Sequence, residues 1–261
     1  MPVIMLASAA GSPGVTATCV GLSLVWPSDV LLVDADKHPT QSVLAGYLRG
    51  AGTAQKGLPG LARAAREGRP LSPQIADECV PLADGATRRL FLPGFANPAA
   101  AGLFEGVWSR LGESLQEHAA ADLTVLLDIG RINADGPPAG LLQHADALLV
   151  LTHSHLPALA ALRLYLPALA EQVERSQSSV QFGLLVVGPG RPYGVSEIER
   201  QFSLPVWAAL PHDPAAAAVL AEGADEPRRF ADGPYVRSLR EAASAITTRV
   251  DARRMRVRGV A

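Results

Sequence analysis

Lysine is nearly missing from this chain: of its 23 basic residues only Lys37 and Lys56 are lysines. The shortage, set against abundant Ala, Gly, Pro and Arg, reads as a compositional habit of the source and carries no mechanism by itself. Cysteine is also sparse. Cys19 and Cys79 are the two present, and neither belongs to a C-x-x-C pair, so zinc-binding and redox motifs are excluded. Cys19 falls in an apolar helical pattern, where a buried free thiol is the ordinary reading. No excess of charge exists either, since 25 acidic residues balance the basic ones to a net −2. Nothing in that balance demands a nucleic acid, a membrane surface or an acidic partner. No uninterrupted apolar run approaches the roughly 20 residues of a membrane helix. The opening residues, Met1 to Leu6, have no basic stretch before their apolar run, which excludes a signal peptide. The expectation is a soluble, cytoplasmic protein.

What is present is ample apolar material, 48% of 261 residues, in short β-branched or Leu-rich runs. Seven such runs read as strands: Val3–Ser8, Val30–Asp34, and residues 89–93, 123–128, 147–152, 182–187 and 205–210. They are continuously apolar rather than alternating, as in a parallel sheet covered on both faces. Helical patterns lie between them, at residues 15–26, 103–119, 156–175 (with Pro167 predicting a kink or break), 196–202 and 215–220. The last helix, from about residue 235 to 254, carries Val236, Leu239, Ala243, Ile246 and Val250 at helical spacing and should pack on the sheet. The fold class is therefore α/β: one domain over 1–261, with a single doubly wound, mostly parallel sheet of about seven strands and helices on both faces. Residues 50–81 read as an irregular excursion, with a short helical pattern at 61–67 and too few apolar residues for a core of their own. Residues 250–261 read as a basic C-terminal tail.

The first strand runs directly into Ala9, Ala10, Gly11, Ser12, Pro13, Gly14, Val15, Thr16, Ala17 and Thr18, and a helix follows at once. Strand, glycine loop and helix N-terminus together present backbone N–H groups to an anion, the geometry that binds phosphate. In register, this stretch resembles the deviant Walker A loop of the MinD/ParA family of P-loop proteins (the SIMIBI class). Gly11, Gly14 and Thr16 match that pattern. Ser12 replaces a glycine, Ala10 stands where the signature lysine belongs, and Val15 stands where the Walker lysine belongs. The resemblance continues through Asp34, Asp36 and Pro39 after the second strand, and through Leu92, Pro93 and Gly94. It extends to Asp128 at the end of a Walker B-like strand, the run from Ala145 to Val150, and the turn Pro211, His212, Asp213.

The resemblance implies roles by position. Gly11, Ser12, Gly14, Val15, Thr16 and Ala17 would cradle phosphate, and Thr16, Asp34 and Asp128 would form the Mg²⁺ shell. Asp36, with Asp128, would be the vestigial catalytic pair, Asp36 orienting the attacking water. Phosphoryl transfer rests on positioning and charge neutralisation. A site that adds polyphosphate to three carboxylates with both lysines missing lacks that neutralisation, and Pro13 removes a backbone donor. Arg131, directly after Asp128, Ile129 and Gly130, either contacts phosphate or pairs with the stranded carboxylates; the pairing is the favoured expectation, because unpaired buried carboxylates are costly. Gly188 occupies the place where the family usually reads the purine with an asparagine.

The expected function is thus a pseudo-ATPase: a non-hydrolysing scaffold or regulator in positioning, partitioning, secretion or pilus assembly. The pilus-localisation branch, often called CpaE or TadZ, is a family precedent. No cofactor is required by this reading, although ATP or ADP with Mg²⁺ remains open. A homodimer independent of nucleotide is expected, with a protein partner or cargo. Two alternatives stand beside it: an unconventional NTPase using Arg131 or a partner's arginine, and a DNA-binding partition protein using Arg249, Arg253, Arg254, Arg256 and Arg258. A solvated helix end is the plainer reading of those arginines. His153 and His155 alternate at a strand end with no third ligand near in sequence, and read as a polar loop rather than a metal site.

Overall fold

The computed structural model describes residues 1–9, 13–50, 56–132, 136–176 and 178–259, the side chains of 103 and 257–259 excepted. Eight strands form one sheet: β1 (Val3–Ser8), β2 (Val30–Asp34), β3 (Val80–Ala83), β4 (Arg89–Leu92), β5 (Thr124–Arg131), β6 (Ala147–His153), β7 (Gln181–Val187) and β8 (Val206–Leu210). Their order is β3-β4-β2-β5-β1-β6-β7-β8, parallel throughout except where β3 runs antiparallel to β4. The seven expected strands are all present. The eighth, β3, escaped the pattern because it is four residues long and contains Pro81, which reads as a breaker. At a sheet edge the missing N–H of proline is tolerated.

Continuous apolar strands serve two cores at once, because successive side chains point to opposite faces. In β1, Val3, Met5 and Ala7 belong to one core while Ile4 and Leu6 belong to the other. The second core is closed by α1 (Val15–Val25), α9 (Pro214–Ala221) and α10 (Pro234–Gly259). The first is closed by α2 (Leu58–Arg66), α3 (Ser72–Glu78), α4 (Pro98–Leu103), α5 (Trp108–Ala120), α6 (Ala139–Leu142), α7 (Leu156–Arg175) and α8 (Val195–Phe202).

Three expectations are corrected. The stretch read as irregular holds two helices, α2 and α3, whose Leu58, Leu61, Ala64, Leu71 and Ile75 are buried in the first core. It needs no core of its own because it shares one; residues 51–55 of that stretch lie outside the described residues. The helix expected at 103–119 begins later, as α5 at Trp108; residue 103 ends a separate helix, α4, and a 3-10 turn at Glu105–Val107 lies between the two. Phe95, Phe104 and Trp108 meet edge-on there at 4.6–5.8 Å between ring centres, and that cluster turns the chain. Finally, α7 runs unbroken through Pro167, which faces solvent.

The last helix buries Val236, Leu239, Ala243, Ile246 and Val250, as the stripe requires, and it continues to Gly259. Its basic end is partly anchored. Arg254 donates to both Asp146 carboxylate oxygens, at 3.0 and 2.9 Å, and to the Met1 carbonyl. Arg249 lies 5.7 Å over the Trp207 ring. No helix among the described residues is long and apolar enough to cross a membrane. Because Ile246 is fully buried between α10 and the sheet, Ile246→Ala should lower stability by about 3 kcal/mol. Urea denaturation checks this; a loss near zero would mean α10 is not part of the cooperative core.

Candidate functional site

The C-terminal ends of β1, β2, β5, β6, β7 and β8 open into one cleft of about 730 Å³, within the size range of small-molecule sites. In an open parallel sheet ligands bind at this end, where the strand order reverses around β1. The cleft is lined by Pro13, Gly14, Val15, Thr16 and Ala17 at the start of α1, with Asp36, His38, Gly130 and Arg131 on one side. His153, Val187, His212, Asp213 and Tyr235 line the other.

Asp34 and Asp128 stand directly opposite each other in the β2–β5 register. Both are buried, at 8% and 3% exposure. The β1–β5 register slips between Leu6 and Ala7, opposite Asp128 and Gly130, a bulge that sits next to the site as bulges often do. Gly130, at φ +65°, donates its N–H to Asp128 Oδ1 at 2.9 Å, and a Cβ at this glycine would collide with the Asp36 carboxylate. Gly94 is equally constrained: a Cβ there would lie 2.6 Å from Asp34 Cγ. Its N–H and that of Asp36 both bond to the Asp34 carboxyl. Thr16, on the first turn of α1, hydrogen-bonds to Asp128.

Burial pushes the Asp34 carboxyl up to about 8, and the neighbouring Asp128 charge adds to the shift. Asp128 is pushed up to about 6, again chiefly by burial, with the Thr16 and Gly130 hydrogen bonds opposing. The field of the pair extends to Cys19 in α1, whose thiol is raised well above its usual range, first by burial and then by both carboxylates. Asp36 is raised by burial while the His38 N–H bond and the charges of His38 and Arg131 pull the other way. Arg131 therefore acts on Asp36.

The sequence-derived residues Gly14, Val15, Thr16, Ala17, Asp36 and Arg131 all line the cleft, with Asp34 and Asp128 beneath it. Ala10, Gly11 and Ser12 lie outside the described residues. Val15, at the Walker-lysine position, is 6% exposed and packs in the core between α1 and the sheet. The chain's two lysines are engaged elsewhere: Lys37 faces Glu105 at 3.5 Å, and Lys56 donates to the Cys79 carbonyl at 3.2 Å.

Sequence reasoning missed what happens at the β6–β8 end. His212, read only as part of a turn, meets His153 edge-on at 5.4 Å, and His153 stacks on His155 at 5.1 Å. The residues lie 59 positions apart, so no local spacing could have signalled them. Among the described residues no three His, Cys, Asp or Glu side chains are placed to hold a metal ion. The expected start of α9 is present, with Asp213 accepting the Ala216 N–H at 3.0 Å.

Asp34 and Asp128 have carboxyl pKa values raised above the unfolded reference, so the folded state holds protons that the unfolded state releases. Stability from the pair is full below the unfolded value near 4, and is lost as pH rises through about 6 and then about 8. Asp128→Asn removes the like charge while keeping an acceptor for Gly130 and a partner for Thr16. It should narrow the stability gap between pH 5 and pH 8, by on the order of 2 kcal/mol. Denaturation at both pH values checks this; equal losses at both would contradict a proton-sharing pair.

No protein-family model matches the chain, and no curated protein matches its sequence. Solved structures do match. The MinD cell division protein of Aquifex aeolicus superposes with a TM-score of 0.69 at 15% identity, covering 95% of this chain and 98% of that one. A ParA family ATPase from Chlorobium tepidum gives 0.68 at 16% identity, over 93% and 98%. The septum site-determining protein MinD of Pyrococcus horikoshii, solved with Mg-ADP, gives 0.63 at 12% identity, over 94% and 96%. At these identities the likeness is one of architecture: from end to end, the chain has the fold of the MinD/ParA ATPases.

Proposed function

We propose that this protein is a non-hydrolysing MinD/ParA-like scaffold or regulator, acting in the cytoplasm as a nucleotide-independent dimer that positions a protein partner. The observation that carries this reading is the supply of cations. Neither lysine of the chain lines the cleft, and the Walker-lysine position holds a core valine. A transferred phosphoryl group needs its developing charge neutralised, and cations that do this are worth roughly 10³–10⁵ in rate.

The donors for magnesium are better preserved than those for phosphate. The Thr16 hydroxyl and the Asp128 and Asp34 carboxyls offer the oxygen ligands Mg²⁺ takes, and they already touch or adjoin one another. These residues would hold the ion, which would supply charge to a bound phosphate. For the polyphosphate itself the described lining offers Arg131 and the first turn of α1, with Pro13 contributing no N–H. The residues present fit the metal and not the full charge of a triphosphate.

One observation favours a second reading. Arg131 lines the cleft and acts on Asp36, the residue that would orient water, so an arginine-assisted NTPase has a geometric basis. A DNA-binding role for the basic end has less to draw on, because Arg254 and Arg249 are held against the protein.

Phosphate release from ATP with Mg²⁺ should not rise above the protein-free rate. The mass from sedimentation should be the same with and without ATP. Turnover that disappears in Arg131→Ala would replace the scaffold reading with the NTPase one. A dimer that forms only with ATP would also overturn the first reading.

A further inference from the structure

The chain has six histidines, and three of them, His38, His153 and His212, line this one cleft, with His155 stacked on His153. No lysine lines it. The histidines at the β6–β8 end arrive from different segments: His153 closes β6, His155 caps α7, and His212 lies between β8 and α9.

The segments are pinned together. Ser154, 1% exposed, donates its hydroxyl to the Gly188 carbonyl and accepts the Arg191 N–H at 3.2 Å. Gly188, at φ +70°, donates to the Leu210 carbonyl at 2.8 Å. A Cβ on Gly188 would lie 3.0 Å from His212 Cβ and 3.7 Å from Arg191 Cδ, so the absent side chain leaves His212 and Arg191 flanking one gap. This is the place where the family that the sequence resembles usually carries a purine-reading asparagine.

The ring nitrogens have distinct roles. His155 Nδ1 accepts the Ala158 N–H at 3.3 Å, which places its proton on Nε2. His153 is hydrogen-bonded to the Val187 carbonyl, leaving its second nitrogen available for a proton. Burial, with the two neighbouring imidazoles, holds His153 below the ordinary histidine value. An arriving anion reverses that balance, since its charge favours imidazolium.

The other charged or titratable groups facing this end do not occupy the gap. Asp213 is used as the α9 cap, and Tyr235 is bonded to Thr18. Asp36 bonds the His38 N–H across the cleft, where Arg131 also acts on it. Glu222 and Tyr165 line the wall beyond.

We propose that His153 and His212, with Arg191 beside them, form a proton-gated site for a small oxyanion (a phosphate or carboxylate group) at the β7–β8 end of the cleft. It does not depend on whether the protein hydrolyses nucleotide. Histidine gains its charge between pH 8 and 5, so the site attracts anions as pH falls and releases them as it rises.

Sulfate is the probe, because it does not titrate in this range. Calorimetry at constant ionic strength should show its affinity rising at least about 10-fold from pH 7.5 to 5.5, as expected when binding takes up a proton on one imidazole. His153→Gln and His212→Gln should each flatten that profile, and ¹³C-labelled imidazole resonances of the wild-type protein should shift to higher apparent pKa on adding sulfate. Melting temperature at pH 7.5 confirms that each variant is folded; should one fail, the imidazole shifts alone decide. ADP and succinate separate the sources, the one inheriting the pH profile revealing a phosphate or a carboxylate ligand. Absence of sulfate binding at tens of millimolar, a pH-independent affinity, or unmoved His153 and His212 resonances would overturn the proposal.

Discussion

Two carboxyl groups side by side in a dry sheet are the constraint on which the site's construction depends. Asp34, at the end of β2, stands opposite Asp128 within the neighbouring parallel strand β5, and each is buried. Burying an ionised carboxylate is costly unless hydrogen bonds and a counter-charge accompany it. The hydrogen bonds are supplied by Gly94, Asp36, Gly130 and Thr16. Two of these donors must be glycine, because any side chain at 94 or 130 would strike an aspartate. The charge of Arg131 acts on Asp36, nearer the surface. Burial favours the protonated form, which is why both carboxyls are raised above their ordinary range.

Much of this was legible in the sequence, and the reasons for the rest are specific. Continuous apolar runs such as Val30–Asp34 report a strand covered on both faces, and the α10 stripe from Val236 to Val250 reports a helix lying on a sheet. Both signals are local. The strand Val80–Ala83 is marked by Pro81 as a breaker, and only its edge position makes proline acceptable. The division between α4 and α5 depends on Phe95 meeting Phe104 and Trp108, a contact outside any helical window. At the site, Thr16, Asp34, Asp36 and Asp128 were legible through the resemblance of their segments to the MinD/ParA motifs. The meeting of His153 with His212 depends on β6, β7 and β8 being adjacent, which is a property of the sheet and not of either motif.

The cleft thereby divides into two ends with different chemistry. The β2–β5 end keeps oxygen donors suited to a divalent ion while lacking lysine. The β7–β8 end gathers groups whose charge depends on pH, beside Arg191. The MinD and ParA structures share this architecture at 12–16% identity, which leaves ample room for the site to have been rebuilt on an unchanged sheet. Function resides in such sites rather than in the fold that carries them.

The account rests on burial raising the Asp34 and Asp128 carboxyls together, and carboxyl ¹³C resonances of the two residues, followed by NMR from pH 4 to 9 in chelator, report on it most directly. The predicted result is a pair that titrates late, with one step near 6 and another near 8. Two carboxyls fully ionised by pH 5 would contradict it, and would require a counter-charge at the pair.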